Sequence, residues 1–256
     1  MGSAIIGGVV KANLYTPNNI TASDINTDFL ADLEKSYGIN TTTSNTEVAQ
    51  NSDILFLCVK PNLYSLIIKE IKNVIPKDTV VVTIAAGQTL DMVASQFESG
   101  TKIVRTMPNT PALVNQGMTA ICPGSGLTKE EIDGVSAIFN SVGKSAVLNE
   151  SLFNIFTGVA GSAPAYVFMF IEAMGDAGVK HGLTKAQALT FAAQTVMGAA
   201  TMVIETGQHP AVLKDAVCSP GGTTIEAVCD LEFNGFRDAV ISAVSACVEK
   251  AKQMED

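Results

Sequence analysis

From the N-terminus to about residue 149, short runs of apolar, largely β-branched residues alternate with stretches whose apolar positions recur at helical spacing. Strands and helices laid down in turn in this way predict a parallel sheet flanked by helices. The strand-like runs are Ile20 to Ser23, Ile39 to Thr41, Ile54 to Val59, Thr79 to Ile84, Ile103 to Thr106, Thr119 to Cys122 and Ser145 to Leu148. Several end in small or turn-forming residues: Val59-Lys60-Pro61, Ala85-Ala86-Gly87 and Met107-Pro108-Asn109-Thr110-Pro111. In an open α/β sheet those carboxyl ends form the ligand crevice.

From Glu150 onward the strand-like runs stop, and long helical segments follow at Ala165 to His181, Lys185 to Thr206 and Thr224 to Met254, the last broken near Asn234-Gly235. The pattern predicts two domains, 1–149 and 150–256. Segment 185–206 is apolar or small nearly all round, with Ala188, Leu189, Ala192, Val196, Met197, Ala199 and Val203 among its residues. Such a helix is either the centre of its domain or an oligomer interface, and a domain of about a hundred residues favours the interface.

Composition narrows the function classes. The net charge is −9, which argues against a protein that neutralises nucleic-acid phosphates or an anionic membrane surface. An anionic ligand must then be held by local groups. Cys58, Cys122, Cys218, Cys229 and Cys247 are scattered with no C-x-x-C pair, so they read as reduced thiols of a cytosolic protein rather than a disulfide framework or zinc site. The N-terminus carries no secretion pattern. The apolar stretch from Leu189 to Ile204 is shorter than the roughly 20 residues of a membrane span, and is read as a buried helix. His181 reads as a helix C-terminal cap, and His209-Pro210 as loop.

The chain opens Met1-Gly2-Ser3-Ala4-Ile5-Ile6-Gly7-Gly8. Ahead of a β/α pattern, Gly2, Ser3 and Ala4 look like the last third of a G-x-G-x-x-G loop, with Gly2 its final glycine. The expectation is that a strand and the first two loop glycines precede Met1. About 20 residues on, the strand ends Thr21-Ala22-Ser23-Asp24, where a cofactor's adenosine ribose is met. Asp24 suits ribose hydroxyls and NAD, Ser23 suits a 2′-phosphate and NADP, and the pair can equally cap the next helix.

The most informative string is Val217-Cys218-Ser219-Pro220-Gly221-Gly222-Thr223-Thr224-Ile225-Glu226. A helix ends, the chain turns at Pro220-Gly221-Gly222, and a new helix begins at Thr223 or Thr224. The N–H groups of Gly221, Gly222, Thr223 and Thr224, with the hydroxyls of Ser219 and Thr224, would form a cup for a carboxylate without any basic side chain. The alternative is a capped helix-helix turn.

Taken together, the chain resembles the pyrroline-5-carboxylate reductase family. Val59-Lys60-Pro61, Ala85-Ala86-Gly87, Arg105-x-Met107-Pro108-Asn109-Thr110-Pro111, Gly161-Ser162-Ala163-Pro164-Ala165-Tyr166 and Ser219-Pro220-Gly221-Gly222-Thr223-Thr224 occur in the family's order. Ala163 departs from the glycine often found in the fourth of these motifs. The resemblance implies a Rossmann-type domain, here without its first strand, followed by an all-α dimerisation domain, with decamers of five dimers common. It also implies an NADPH- or NADH-dependent reduction of a cyclic imine to proline, at a site between the two domains with helices of a partner subunit beside it.

By the same resemblance, Asn45, Lys60, Pro61, Ala85 and Asn109 lie along the cofactor and Ser23 near its adenosine ribose; the loop and strand-end positions add Gly2, Ser3, Ala4, Asp24, Val59, Ala86, Gly87 and Met107 as candidates for the same cofactor. Val217, Ser219, Gly221, Gly222, Thr223 and Thr224 hold the substrate, with Ser219 and the Thr224 hydroxyl closest to the chemistry. The cofactor supplies the hydride and the protein the alignment. A protonated imine is already electrophilic, so no strong general acid is needed. Two other readings compete. A β-hydroxyacid dehydrogenase needs a lysine on the first interdomain helix, and that helix has none before Lys180. A catalytically silent oligomeric binding protein would show no NAD(P)H binding.

Overall fold

A computed structural model describes residues 1–255. The first compact unit comprises 1–162 together with the segment from Cys247 onward, and the second comprises Ala163–Ala246. The division by contacts falls at 162/163, where the sequence pattern placed a domain boundary at 149/150. The helical residues 153–162 pack with the first unit, where Phe153 is buried beside Ala120 and Cys122.

The first unit runs α1 (Gly2–Lys11), β1 (Thr21–Ser23), α2 (Thr27–Tyr37), β2 (Asn40–Thr42), α3 (Asn45–Gln50), β3 (Ile54–Leu57), α4 (Tyr64–Ile71), β4 (Val80–Thr83), α5 (Leu90–Ala94), β5 (Lys102–Met107), β6 (Gly117–Pro123), α6 (Lys129–Asn140), β7 (Gly143–Val147) and α7 (Phe153–Phe156). Each expected strand is present. Pairing divides them into a parallel pair, β1-β2, and a five-stranded sheet in the order β3-β4-β5-β6-β7. The expectation of a parallel sheet fails at one junction, because β5 and β6 are antiparallel. Residues 108–116 between them are too few for a crossover helix, and the chain reverses through Asn115, whose φ of 59° is left-handed.

The sheet is buried on both faces. β4 is wholly buried, which explains why its sequence is a continuous apolar run rather than an alternating one. One face packs on Ile5 and Val9 of α1 and Val135, Ile138 and Phe139 of α6; the other packs on Tyr64, Ile68 and Ile71 of α4 and Val93 of α5. Burial of these side chains contributes on the order of 1.5–3 kcal/mol each. Helix starts are set by side-chain caps: Asn26 for α2, Ser44 for α3, Thr89 for α5 and Thr128, in a capping box, for α6.

The second unit contains α8 (Ala163–Lys180), α9 (Lys185–Thr206), α10 (Pro210–Ala216), α11 (Thr223–Phe233) and the greater part of α12 (Phe236–Gln253). The break expected at Asn234-Gly235 separates α11 from α12. His181 follows α8 and its N–H donates to Ala177 O, as its reading as a cap requires. His209, read as loop, instead caps α10: its Nδ1 accepts from Ala211 N at 3.2 Å, with Pro210 in the first helical position.

α9 spans 22 residues and Glu150–Lys180 is a 31-residue helical stretch, and their most apolar 18-residue windows have mean hydropathies of 1.3 and 1.4. Both meet the length and apolarity of a membrane span, so the shorter limits read from sequence were too narrow. Within this chain only Ala188 and Ala192 of α9 are buried, whereas Phe191 and Met197 are 56% and 57% exposed. The expectation that α9 is buried therefore fails within one chain.

Candidate active site

The carboxyl ends of β1, β3, β4 and β5 carry Ser23-Asp24, Val59-Lys60-Pro61, Ala85-Ala86-Gly87 and Met107-Pro108-Asn109 respectively. The residues singled out from sequence thus stand at the carboxyl ends of the strands, where an open α/β sheet is expected to receive its ligand. Gly2 lies here too: a methyl group on its Cα would stand 3.3 Å from Cys58, just after β3. α1 has no side-chain cap, and its recorded backbone bonds begin with Ala4 N and Ile5 N donating to Met1 O. The Gly2 and Ser3 N–H groups precede that first turn, which is the disposition that receives an anion at a helix start.

Tyr64, which the sequence reading missed, holds two of these strand ends together. Its Oη donates to Leu57 O at 2.9 Å and lies 2.8 Å from Thr83 Oγ1, all buried. Burial raises its pKa, so it remains a neutral phenol that bridges β3 and β4. The available signal was a tyrosine opening a helix just after Lys60-Pro61, with a threonine ending the apolar β4. Thr106 extends the brace, its hydroxyl donating to Thr83 O at 2.8 Å. Cys58 is solvent-exposed, yet the protein around its sulfur raises the thiol to about 11, against the opposing pull of the N-terminal charge.

Asn109 has a local task. α7 continues through a wider turn, Thr157–Gly161, in which Ser162 N donates to Thr157 O. Ala160 O would next accept from residue 164, but Pro164 has no N–H. Asn109 Nδ2 supplies that donor at 2.9 Å, and Asn109 Oδ1 accepts from Met118 N at 2.9 Å. Both ends of the amide are thus engaged within the protein. Ser23 Oγ donates to Asn45 Oδ1 at 2.8 Å. Asp24 Oδ1 accepts from Asn26 N, while the cap of α2 is Asn26 itself.

In the second unit, the Ser219–Thr224 loop has the conformation its sequence calls for. Gly222 N donates to Ser219 O at 3.0 Å, with Pro220 and Gly221 between them and Gly221 at φ 65°, the residue preferences of a type II turn. A methyl group on Gly222 would fall 2.3 Å from Ser219 Oγ, so the hydroxyl folds over the turn only because residue 222 lacks a side chain. Gly222 is the N-cap of α11 and no side chain bonds to the helix start. The contrast with α9, capped by Thr184, leaves the Thr223 and Thr224 N–H groups in the first turn as donors for a ligand. Thr224 is half-buried; Val217 and Ser219 are exposed.

These segments fit a dinucleotide and a carboxylate: two helix starts without side-chain caps, and the small strand end Ala85-Ala86-Gly87. Comparison with known proteins points the same way. Residues 150–254 match the family model described as pyrroline-5-carboxylate reductase dimerisation, and residues 1–87 match that of coenzyme F420-dependent NADP oxidoreductases. The pyrroline-5-carboxylate reductase of Escherichia coli (strain K12) is 50% identical over 254 residues, covering 99% of this chain and 94% of the relative. That of Methanosarcina acetivorans is 44% identical with the same coverage. Among solved structures, a pyrroline-5-carboxylate reductase from Coxiella burnetii superposes with a TM-score of 0.93 at 33% identity, covering 100% and 95% of the two chains. The Plasmodium falciparum pyrroline carboxylate reductase with NADP bound gives 0.89 at 34%, with the same coverage.

Proposed function

The chain belongs to the pyrroline-5-carboxylate reductase family, and we propose that it reduces 1-pyrroline-5-carboxylate to L-proline with NADPH or NADH, holding the imine's carboxylate at the start of α11. The observation that carries this reading is the α11 N-terminus, where Ser219-Pro220-Gly221-Gly222-Thr223-Thr224 turns into a helix without a side-chain cap. Backbone N–H groups there bind an anion in a chain of net charge −9 without requiring a cation.

Bound NAD(P)H supplies the hydride. The chain's own residues hold and align. Gly2, Ser3 and Ala4 present the start of α1 to the pyrophosphate; Ser23, Asp24 and Asn45 meet the adenosine ribose. Val59, Lys60, Pro61, Ala85, Ala86 and Gly87 flank the cofactor with little bulk. Because the Asn109 amide is engaged with Ala160 and Met118, residues Met107 to Asn109 contribute shape and backbone rather than that side chain. At the substrate, Gly221 and Thr223 bind the carboxylate beside Val217, whereas Gly222, expected to add its own N–H to that cup, donates it to Ser219 O and contributes the tight turn instead. The Ser219 hydroxyl closes the turn, and the Thr224 hydroxyl holds the imine nitrogen. Orientation is the main catalytic contribution of such a site.

The exposed apolar faces of α8 and α9 pair with a second copy, in keeping with the dimerisation model that spans residues 150–254. A decamer of five such dimers is the proposed assembly. A cytoplasmic location belongs to the same reading, a compartment that keeps the five free thiols reduced. The test is Thr224→Ala: kcat/KM for the imine should fall at least about tenfold, the scale of a lost hydrogen bond to a charged group, with NAD(P)H affinity unchanged. Unaltered imine kinetics would remove Thr224 from the site.

A further inference from the structure

The hydrogen bonds at the end of β1 have a direction, and that direction distinguishes two nucleotides. Glu70, on α4, is an acceptor at neutral pH, since an ionised carboxylate has no proton to donate. The Asn45 side chain lies 3.0 Å from Glu70 Oε2 and 2.8 Å from Ser23 Oγ. Its amino group must face the carboxylate, because the opposite rotation of the amide would place two acceptors together. Asn45 Oδ1 is thereby turned to Ser23 and takes the hydroxyl proton. What Ser23 then offers outward is lone pairs.

We propose that Glu70, through Asn45, sets Ser23 as a hydrogen-bond acceptor and so makes the enzyme favour NADH over NADPH. The inference rests on the reading that Ser23 meets the adenosine ribose. A ribose 2′-hydroxyl donates to such an acceptor. A 2′-phosphate has no proton to give at neutral pH beyond its second ionisation, and it meets lone pairs instead. For Ser23 to turn its proton toward that phosphate, Asn45 Oδ1 must lose its donor. The charges on this edge act in the same sense: Glu70 faces Asn45, Glu47 accepts from Thr42 Oγ1 at 2.6 Å, and Asp24 follows Ser23 directly. Ser23 and Asn45 touch the nucleotide in this account, whereas Glu70 is a positioning residue.

Three variants test the relay: Asn45→Ala, which frees the Ser23 proton; Glu70→Lys, which replaces the acceptor that fixes the amide by a donor; and Glu70→Gln, whose amide can accept or donate and so no longer dictates which way Asn45 faces. The readout is the dissociation constant of ADP-ribose against that of its 2′-phosphate, by calorimetry, together with KM and kcat for NADH and NADPH. The wild-type protein should bind ADP-ribose the more tightly. Asn45→Ala should move the ratio toward the 2′-phosphate by roughly tenfold, the scale of one hydrogen bond to a charged group. Glu70→Lys should move it at least as far, with kcat unchanged, and Glu70→Gln less. Wild-type preference for the 2′-phosphate overturns the proposal. Equal weakening of both ligands by the variants also overturns it and makes the relay a structural brace. If no variant changes either ligand, Ser23 does not meet the ribose and the cofactor placement itself fails, while the imine kinetics of Thr224→Ala stand independently.

Discussion

Arg105 and Glu255 lie 150 positions apart in the chain and are joined by a hydrogen-bonded ion pair, guanidinium Nη2 to Oε1 at 2.5 Å. Arg105 Nη1 donates to Glu150 Oε1 at 2.8 Å, and the guanidinium stands 4.7 Å from the centre of the Phe153 ring. Asn154 Nδ2 also donates to Glu255, at 2.7 Å. One buried cation on β5 thus fastens both the residues before α7 and the segment after α12 to the nucleotide-binding unit, and Met254 comes to rest over Gly87.

Arg105→Met should destabilise the first unit, because it leaves Glu150 and Glu255 without their cation. Breaking a fully buried pair costs about 3–5 kcal/mol. The carboxylates here keep 33% and 19% of their side-chain exposure, so water offsets part of that and about 2 kcal/mol is expected. Glu255→Ala should be milder and local, with faster hydrogen exchange from Cys247 onward and an unchanged sheet. Chemical denaturation and hydrogen exchange read the two effects separately.

Gly143 pairs with Gly117 across β6 and β7. A methyl group on Gly143 would stand 2.0 Å from Gly117 O, and Gly143 has a φ of 151°. Neither strand can yield to such a contact, so Gly143→Ala should cost roughly 3 kcal/mol or more. A denaturation midpoint equal to wild type would contradict the register.

Thr119 is a buried hydroxyl with no hydrogen-bond partner among the described residues. Thr119→Val keeps the shape and removes the unpaired polar atom, so it should stabilise the protein by about 1 kcal/mol. A lower melting temperature would show that the hydroxyl has a partner.

Glu131 is held below the ordinary carboxylate value of 4.5 by its hydrogen bond with the Lys102 ammonium at 2.7 Å, aided by the Thr128 N–H. A depressed folded-state pKa stabilises the protein above the unfolded value, and this contribution is lost as pH falls through the folded one. The stability gap between wild type and Glu131→Gln should therefore be constant near neutrality and shrink below about pH 4.5. A gap that widens on acidification would reverse the assignment.

Much of the fold was legible in the sequence. Strands such as Val80–Thr83 show as uninterrupted apolar runs because both faces are covered, and the α11 loop shows because Pro, Gly, Gly and Thr have few other uses in that order. Contacts between distant residues were not legible. That Arg105 would meet Glu255, or that Tyr64 would bridge Leu57 and Thr83, depends on how the sheet closes rather than on local spacing. The antiparallel β6 was hidden for a related reason: strand periodicity is the same in both directions, and only the short link through Asn115 distinguishes them. Asn109 was read as a cofactor contact from its motif, and its engagement with Ala160 became visible only with the turn before Pro164.

The central claim is most directly tested by mixing the protein with 1-pyrroline-5-carboxylate and either NADH or NADPH, following nucleotide oxidation and proline formation together. The account predicts imine-dependent oxidation with proline formed mole for mole, slowed at least about tenfold in Thr224→Ala. Saturable nucleotide binding without proline, or oxidation indifferent to the imine, would contradict it.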